Sequence, residues 1–153
     1  MGTDLRRETR RQPRSRPWFW TTTALGIAWA LPLTLAGLLL ALPVFVFRGH
    51  ARIIRGRTLA LLVRGPFADF MLSRHPFGAM SAMAVGHVII AENQGLSARV
   101  LTHELTHVRQ AEHWGLLFPF AYLASSAWAA MRGRDAYWHN HFEIAARKAE
   151  KRP

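Results

Sequence analysis

The sequence predicts an α+β fold, with an N-terminal transmembrane helix followed by a small, mainly helical domain that has a short β-sheet. An uncharged run at residues 18–47 predicts the first helix, and short apolar segments at residues 58–63 and 82–91 predict the strands. A helical repeat of apolar residues at 98–114 predicts the main helix of the domain. At 153 residues the chain has room for one compact domain.

The run at residues 18–47 is long enough for one tilted membrane span and too short for two. We therefore expect a basic tail at 1–17, a single-pass anchor at 18–47 and localisation to a membrane. Pro32 and Pro43 can break a helix, so a shallow hairpin in the membrane is one alternative. The "AWA" of residues 28–30 resembles a cleavage site, so a cleaved signal peptide is another. A buried core helix is a further alternative.

Positive charge lies on both sides of this run, and the formal net charge is +11. Six arginines precede the run and four follow it: Arg6, Arg7, Arg10, Arg11, Arg14 and Arg16, then Arg48, Arg52, Arg55 and Arg57. Basic clusters that flank an apolar segment are typical of anchors at a lipid surface. The sequence has no glycine-rich phosphate loop and no interleaved basic and aromatic groove. Membrane lipid is therefore an expected partner, and nucleic acid is not.

The middle of the chain alternates apolar segments with turn residues. We expect residues 58–63 to form a strand or short buried segment, and residues 82–91 to form one strand that is a candidate partner for it. Between them, residues 64–80 contain two glycines and two prolines, which predicts loops. These segments begin a domain that we assign to residues 48–153.

A metal-binding motif lies on the predicted helix at 98–114, which Ser97 would cap and Gly115 would end. The sequence "HELTH" places His103 and His107 four residues apart, so both imidazoles project from one face. Glu104 is rotated by roughly 100°, and its carboxylate can reach a water on the metal without being a ligand. The chain has no cysteine, so any metal must be held by His, Asp or Glu.

Two residues are candidates for the third ligand that a catalytic zinc site needs. His113 follows His107 by six residues, but Gln110 occupies the position where the three-histidine motif has a glycine that turns the chain. Glu143 lies in the first turn of a predicted helix at residues 142–151. It also lies three residues after Asn140, which would make it part of a helix-capping box instead.

The pair of segments "HELTHVRQ" and "NHFEIAARKAE" resembles the gluzincin class of zinc metallopeptidases, in which H-E-x-x-H precedes a glutamate ligand on a later helix. More specifically, the chain is similar to small, membrane-anchored, minimal bacterial members. The resemblance covers roughly residues 80–150. It implies that His103, His107 and Glu143 bind Zn²⁺ and that Glu104 is the general base.

The same resemblance implies a function and a substrate class. A zincin-like domain at residues 48–153 would hydrolyse peptide bonds through a zinc-bound water that Glu104 activates. Its substrate would be a peptide or protein, bound in an extended form along the strand at 82–91. Candidates for the oxyanion donor are His139, Tyr137, Tyr122, His113 and Arg147. The alternative is an inactive membrane protein that uses this fold as a binding module.

A second apolar stretch at residues 115–131 joins the two halves of the motif. If it crossed a bilayer, His107 and Glu143 would lie on opposite sides and could not share an ion. We therefore expect a buried or membrane-hugging hairpin bent at Pro119. Its uncharged face would rest on the bilayer, so that the substrates would be membrane-proximal.

Overall fold

The computed structural model describes residues 24–75 and 78–151, so the basic tail and the first part of the apolar run lie outside it. The fold is α+β, with five helices and a four-stranded sheet. Residues 24–29 are also helical. In chain order the elements are α1 (Leu31–Val46), β1 (His50–Arg55), β2 (Leu59–Arg64), α2 (Pro66–Ser73), β3 (Ala82–Val85), β4 (Val88–Ala91), α3 (Ala98–Trp114), a 3₁₀ turn (Gly115–Leu117), α4 (Phe118–Met131) and α5 (His141–Glu150).

The sheet has the order β1-β2-β4-β3, with β2 and β4 parallel and the two outer pairs antiparallel. The strand predicted at residues 58–63 is confirmed as β2. The single strand predicted at 82–91 is wrong, because the chain reverses at Gly86, whose φ of +58° suits a tight turn, and forms the hairpin β3–β4. Helix α2 occupies part of the predicted loop, and β1 was not predicted.

The prediction of an N-terminal transmembrane helix is wrong. None of the helices that the structure describes is long and apolar enough to cross a membrane. Within the apolar run, α1 has 16 residues, with Pro32 in its first turn and Pro43 inside the helix. It packs on the sheet through Gly37, Ala41 and Val44 and against Ala111 of α3 through Leu33, so part of its hydrophobicity contributes to the core of the domain.

The sheet is covered on both faces because the buried side chains of β2 and β4 alternate. On one face, Val63 and Ile90 pack against α1 and α2. On the other, Leu62 and Ile89 pack against Val108 of α3. Helix α3 therefore covers this second face of the sheet, and α5 packs along α3.

The apolar stretch at residues 115–131 forms the 3₁₀ turn and the 14-residue helix α4. It is not a span, as expected. The hairpin bent at Pro119 is wrong, because this proline lies in the first turn of α4, where its missing N–H has no intrahelical partner to lose. The connection returns the chain so that α5 lies beside α3.

Candidate metal centre

Helix α3 carries two histidines that face one cleft. The helix has the predicted ends: Ser97 Oγ accepts a hydrogen bond from the Val100 N–H, and Gly115 ends the helix with φ +54°. His103 and His107 are one turn apart, and their Nε2 atoms lie 3.0 Å from each other.

Glu143 reaches the same point from α5. Its Oε2 lies 3.3 Å from His103 Nε2, and its Oε1 lies 3.2 Å from His107 Nε2. The three side chains are largely buried, and one donor atom from each lies within 4.8 Å of the others. His103, His107 and Glu143 therefore form a group that could hold a metal ion.

Asn140 fixes the start of α5 and thereby the position of Glu143. Its side chain is fully buried; Oδ1 accepts from the Phe142 N–H at 2.8 Å, and Nδ2 donates to the Tyr122 carbonyl and to Ser126 Oγ. Asn140 is thus the N-cap that the sequence offered as an alternative role for this segment. The carboxylate of Glu143 points to the histidines rather than back to the cap.

Each histidine also has an outer partner at Nδ1. His103 Nδ1 lies 2.6 Å from Glu150 Oε1, and His107 Nδ1 lies 2.8 Å from Gln110 Oε1. The amide of Gln110 is oriented by its Nε2, which donates to the Phe142 carbonyl. Partners of this kind select the tautomer with the proton on Nδ1 and leave the lone pair on Nε2.

This tautomer makes the centre electron-rich. Two Nε2 lone pairs and the Glu143 carboxylate converge, and such groups repel each other unless a cation lies among them. Glu143 Oε2 is buried and has no hydrogen-bond partner within the described residues. A proton or a metal ion satisfies this arrangement, and two imidazoles with one carboxylate are a donor set suited to a divalent transition metal.

The metal-free centre binds a proton strongly. Burial opposes a charge on His103, but Glu143 and Glu150 outweigh it and raise the pKa of His103 from 6.5 to about 9. Burial alone would raise the pKa of Glu143. The two neighbouring histidines instead hold that pKa well below its usual range. The centre therefore attracts positive charge and keeps its carboxylate ionised.

Glu104 lies beside the group without belonging to it. Only 6% of its surface is exposed, and the backbone of Ala84 in β3 hydrogen-bonds to its carboxylate. Burial is the main cause of a raised pKa for Glu104, which the two histidines partly oppose. A raised pKa makes a carboxylate in a cleft a stronger proton acceptor, as a general base requires.

A cleft of about 400 Å³ opens over these side chains. Its floor contains His103, Glu104, His107 and Glu143, and most of its walls are apolar. Strand β3 forms one wall and is an edge of the sheet, while Leu33 of α1 and Leu123 of α4 lie on other sides. An edge strand beside a cleft can pair with an extended chain through its backbone.

The five candidate oxyanion donors separate in the structure. Tyr122 and Tyr137 line the cleft, and the Tyr122 hydroxyl donates to Glu143 Oε1 at 2.8 Å. Arg147 lies over the Trp138 ring, with its guanidinium 3.7 Å from Glu143. His139 is exposed and lines a separate groove, and His113 is exposed at the end of α3. His113 is not part of the metal-binding group.

Sequence reasoning missed the two outer partners of the histidines. Glu150 follows Glu143 by seven residues, so the helical repeat already puts both on one face, but it gives no reason to connect Glu150 with His103. Gln110 was considered only because it replaces the glycine of the three-histidine motif. Its spacing of three from His107 was the available signal for a contact within the helix.

Comparisons with protein-family models, with curated proteins and with solved structures found no match to this chain.

Proposed function

We propose that the protein is a zinc-dependent metallopeptidase of the gluzincin type, acting on peptides or proteins. The observation that carries the proposal is the convergence of His103 Nε2, His107 Nε2 and the Glu143 carboxylate beside a buried Glu104. Catalytic zinc sites use three such ligands and leave the fourth position open. The cleft above the group provides the space for that position.

Zinc fits this donor set better than magnesium or calcium, which prefer oxygen ligands. When bound, Zn²⁺ would supply Lewis-acid polarisation of a carbonyl and would make water more acidic. His103, His107 and Glu143 would hold it, with Glu150 and Gln110 keeping both rings in the binding tautomer.

The other residues of the cleft have separate roles in the proposed hydrolysis. Glu104 accepts a proton from the attacking water on its carboxylate and delivers it to the leaving amine. Tyr137 Oη remains protonated, because burial and Glu143 raise its pKa to about 12, and it can donate to the developing oxyanion. The edge strand β3 aligns an extended peptide, and the apolar walls favour apolar side chains.

One observation favours the alternative, a metal-holding binding module without activity. Glu104 is already hydrogen-bonded by the Ala84 backbone, so its carboxylate has a structural partner. In that case it would position β3 against α3 and take no proton from water. The two functions predict different activities. The peptidase requires an active wild type that Glu104→Gln inactivates, whereas the binding module predicts a zinc-loaded wild type that hydrolyses no peptide.

The test uses the full-length chain, because Leu33 of α1 lines the cleft. Zinc content is measured by elemental analysis for the wild type, Glu143→Ala, Glu104→Gln and the control Glu92→Ala. We expect about one zinc per chain in all but Glu143→Ala. Hydrolysis is then followed on a library of quenched fluorescent peptides with apolar residues around the central bond.

Glu104→Gln separates the functions, since Gln keeps the shape and cannot act as a base. A zinc-loaded Glu104→Gln protein without hydrolysis, beside an active wild type, supports the peptidase. A Glu104→Gln protein that cleaves as fast as the wild type would remove Glu104 from the mechanism. Absence of zinc from a folded wild type would overturn the proposal.

A further inference from the structure

Helix α1 buries one narrow stripe and exposes most of its leucines. The buried residues Leu33, Gly37, Ala41 and Val44 recur every three to four positions. The last three contact the sheet, and Leu33 packs with Ala111 of α3. No residue of α1 is charged. Its large exposed side chains include Leu31, Leu35, Leu39, Leu42 and Val46, of which Leu39 is 66% and Val46 76% exposed.

The segment at residues 115–131 is apolar and exposed in the same way. In α4 only Ala129 is buried. The large exposed side chains are Leu116, Leu117, Phe120, Leu123, Trp128 and Met131. We call these residues, together with the exposed face of α1, the apolar surface. Monomeric proteins rarely expose contiguous apolar patches of more than a few hundred Å² unless the patch binds something.

The two parts of the apolar surface meet at the cleft. Ala30 and Leu33 at the start of α1 pack with Ala111 and the partly buried Phe118. The contact is close, since a Cβ on Gly115 would lie within 2.5 Å of the Trp29 ring. Leu33, Phe118 and Leu123 also line the cleft, so its apolar walls continue into the apolar surface.

The charge pattern identifies what would cover this surface. No aspartate or glutamate occurs between residues 9 and 68 or between 113 and 134, whereas Arg48 follows α1 and Arg132 follows α4. The Arg132 guanidinium lies 4.2 Å from the centre of the Trp128 ring, a pair typical of the interface between lipid and water. A second copy would oppose arginine to arginine, while anionic lipid headgroups would neutralise these charges.

The packing of α1 indicates its orientation. Its buried stripe contacts the sheet and α3 along the helix, while the opposite side is exposed. A helix that has one apolar side free and the other packed on a sheet fits the plane of the interface.

We propose that the apolar surface docks in the plane of an anionic lipid bilayer and places the mouth of the metal cleft at the membrane surface. If the proposed peptidase function holds, the substrate is a peptide segment that leaves the bilayer in an extended form and pairs with β3. The docking itself does not depend on that function.

The test is flotation of the full-length protein with vesicles of phosphatidylcholine and phosphatidylglycerol, compared with phosphatidylcholine alone. The test variant carries Leu39→Glu and Phe120→Glu. The control variant carries Ile53→Glu and Phe70→Glu, which are half-exposed on β1 and α2 and add the same charge. Circular dichroism verifies that both variants are folded.

We expect the wild type and the control to bind the anionic vesicles, and the partition of the test variant to fall at least about tenfold. Oriented circular dichroism of the bound wild type should show helices parallel to the membrane plane. Equal partition of both variants, no binding by the wild type, or helices along the membrane normal would each overturn the proposal. So would a dimer that Leu39→Glu and Phe120→Glu dissociate without changing vesicle binding. Loss of zinc or of hydrolysis leaves this measurement unaffected, so failure of the two proposals can be distinguished.

Discussion

Glu150 Oε1 lies 2.6 Å from His103 Nδ1, while Glu143 Oε2 lies 3.3 Å from the Nε2 of the same ring. A single helix, α5, therefore contacts both nitrogens of one histidine through residues two turns apart. This arrangement fixes the rotation of the ring and its tautomer together. Glu150 is therefore a candidate positioning residue, which would act on a metal ion only through His103.

Glu150→Ala should weaken zinc binding by about 10-fold to 100-fold, because His103 Nδ1 loses its acceptor and the ring can rotate or change tautomer. Affinity is measured by competition with a chromophoric chelator. Glu150→Gln restores an oxygen acceptor and should recover part of the loss. Lys148→Ala, an exposed substitution on the same helix, is the control. Equal affinities for wild type and Glu150→Ala would exclude the positioning role.

Zinc affinity should rise with pH, because the metal competes with the proton on His103. The pKa of His103 is about 9 in the folded, metal-free protein, so binding releases a proton below that pH. We expect the apparent affinity to rise by up to about tenfold per pH unit toward pH 9. Titrations in buffers of different ionisation enthalpy would measure the released proton. A pH-independent affinity over this range would contradict the prediction.

The same protonation makes the stability of the metal-free protein depend on pH. Because the pKa of His103 is raised in the folded protein, protonation of this residue stabilises the fold. The contribution is complete at a pH below the ordinary histidine pKa of 6.5 and is lost as the pH rises to about 9. The lowered pKa of Glu143 adds stability above its ordinary value of 4.5 that is lost in acid. Urea unfolding of the zinc-free protein should therefore give its highest midpoint between these two ordinary values.

Tyr137→Phe should reduce kcat, expressed per zinc-loaded chain, by about 10²-fold to 10³-fold if Tyr137 donates to the oxyanion. Tyr122→Phe should instead reduce zinc retention, because the Tyr122 hydroxyl donates to the ligand Glu143. Steady-state kinetics on the best peptide of the library, with zinc content measured in parallel, distinguishes them. Unchanged kcat in Tyr137→Phe would exclude it as the donor.

The local parts of the site were predictable from the sequence, and the long-range contacts were not. His103, His107 and the cap at Ser97 belong to one helix, so the helical periodicity was sufficient to predict their arrangement. The choice between Glu143 and His113 required the packing of α5 on α3. The contact between Glu150 and His103 joins residues 47 apart, which no local pattern reports.

The apolar run shows how composition alone misled the fold prediction. Its length and lack of charge predict a span, but the small residues Gly37 and Ala41 form a stripe that fits against the sheet. That stripe has the same spacing in a lipid-facing helix and in a half-buried one, so hydropathy does not distinguish them. Similarly, Gly86 reverses residues 82–91 in the middle of an apolar sequence.

Asn140→Ala should destabilise the protein by about 2 kcal/mol or more, since it removes a helix cap and leaves buried polar groups without partners. The side chain connects α5 with the Tyr122 carbonyl and Ser126 of α4. Urea unfolding of the zinc-free protein measures the effect. Ser97→Ala, at an exposed cap, should cost only about 1 kcal/mol. Equal losses would mean that the contacts of Asn140 with α4 contribute nothing.

Gly37→Ala tests the packing of α1 on the sheet. A Cβ at Gly37 would lie 2.4 Å from the Val85 carbonyl oxygen and 2.9 Å from Val88 Cβ, so α1 must move away from the β3–β4 hairpin. Because overpacking typically costs about 1–3 kcal/mol, we expect a loss of that size in the free energy of unfolding.

The matched control is Gly56→Ala, since a Cβ there meets nothing within 4 Å. It should leave the stability almost unchanged or raise it slightly, by reducing the entropy of the unfolded chain. If both variants unfold at the same urea concentration, α1 does not pack on the sheet as described. In that case Leu33 would not be a wall of the metal cleft. A selective loss in Gly37→Ala supports α1 as an integral part of the domain that builds the site.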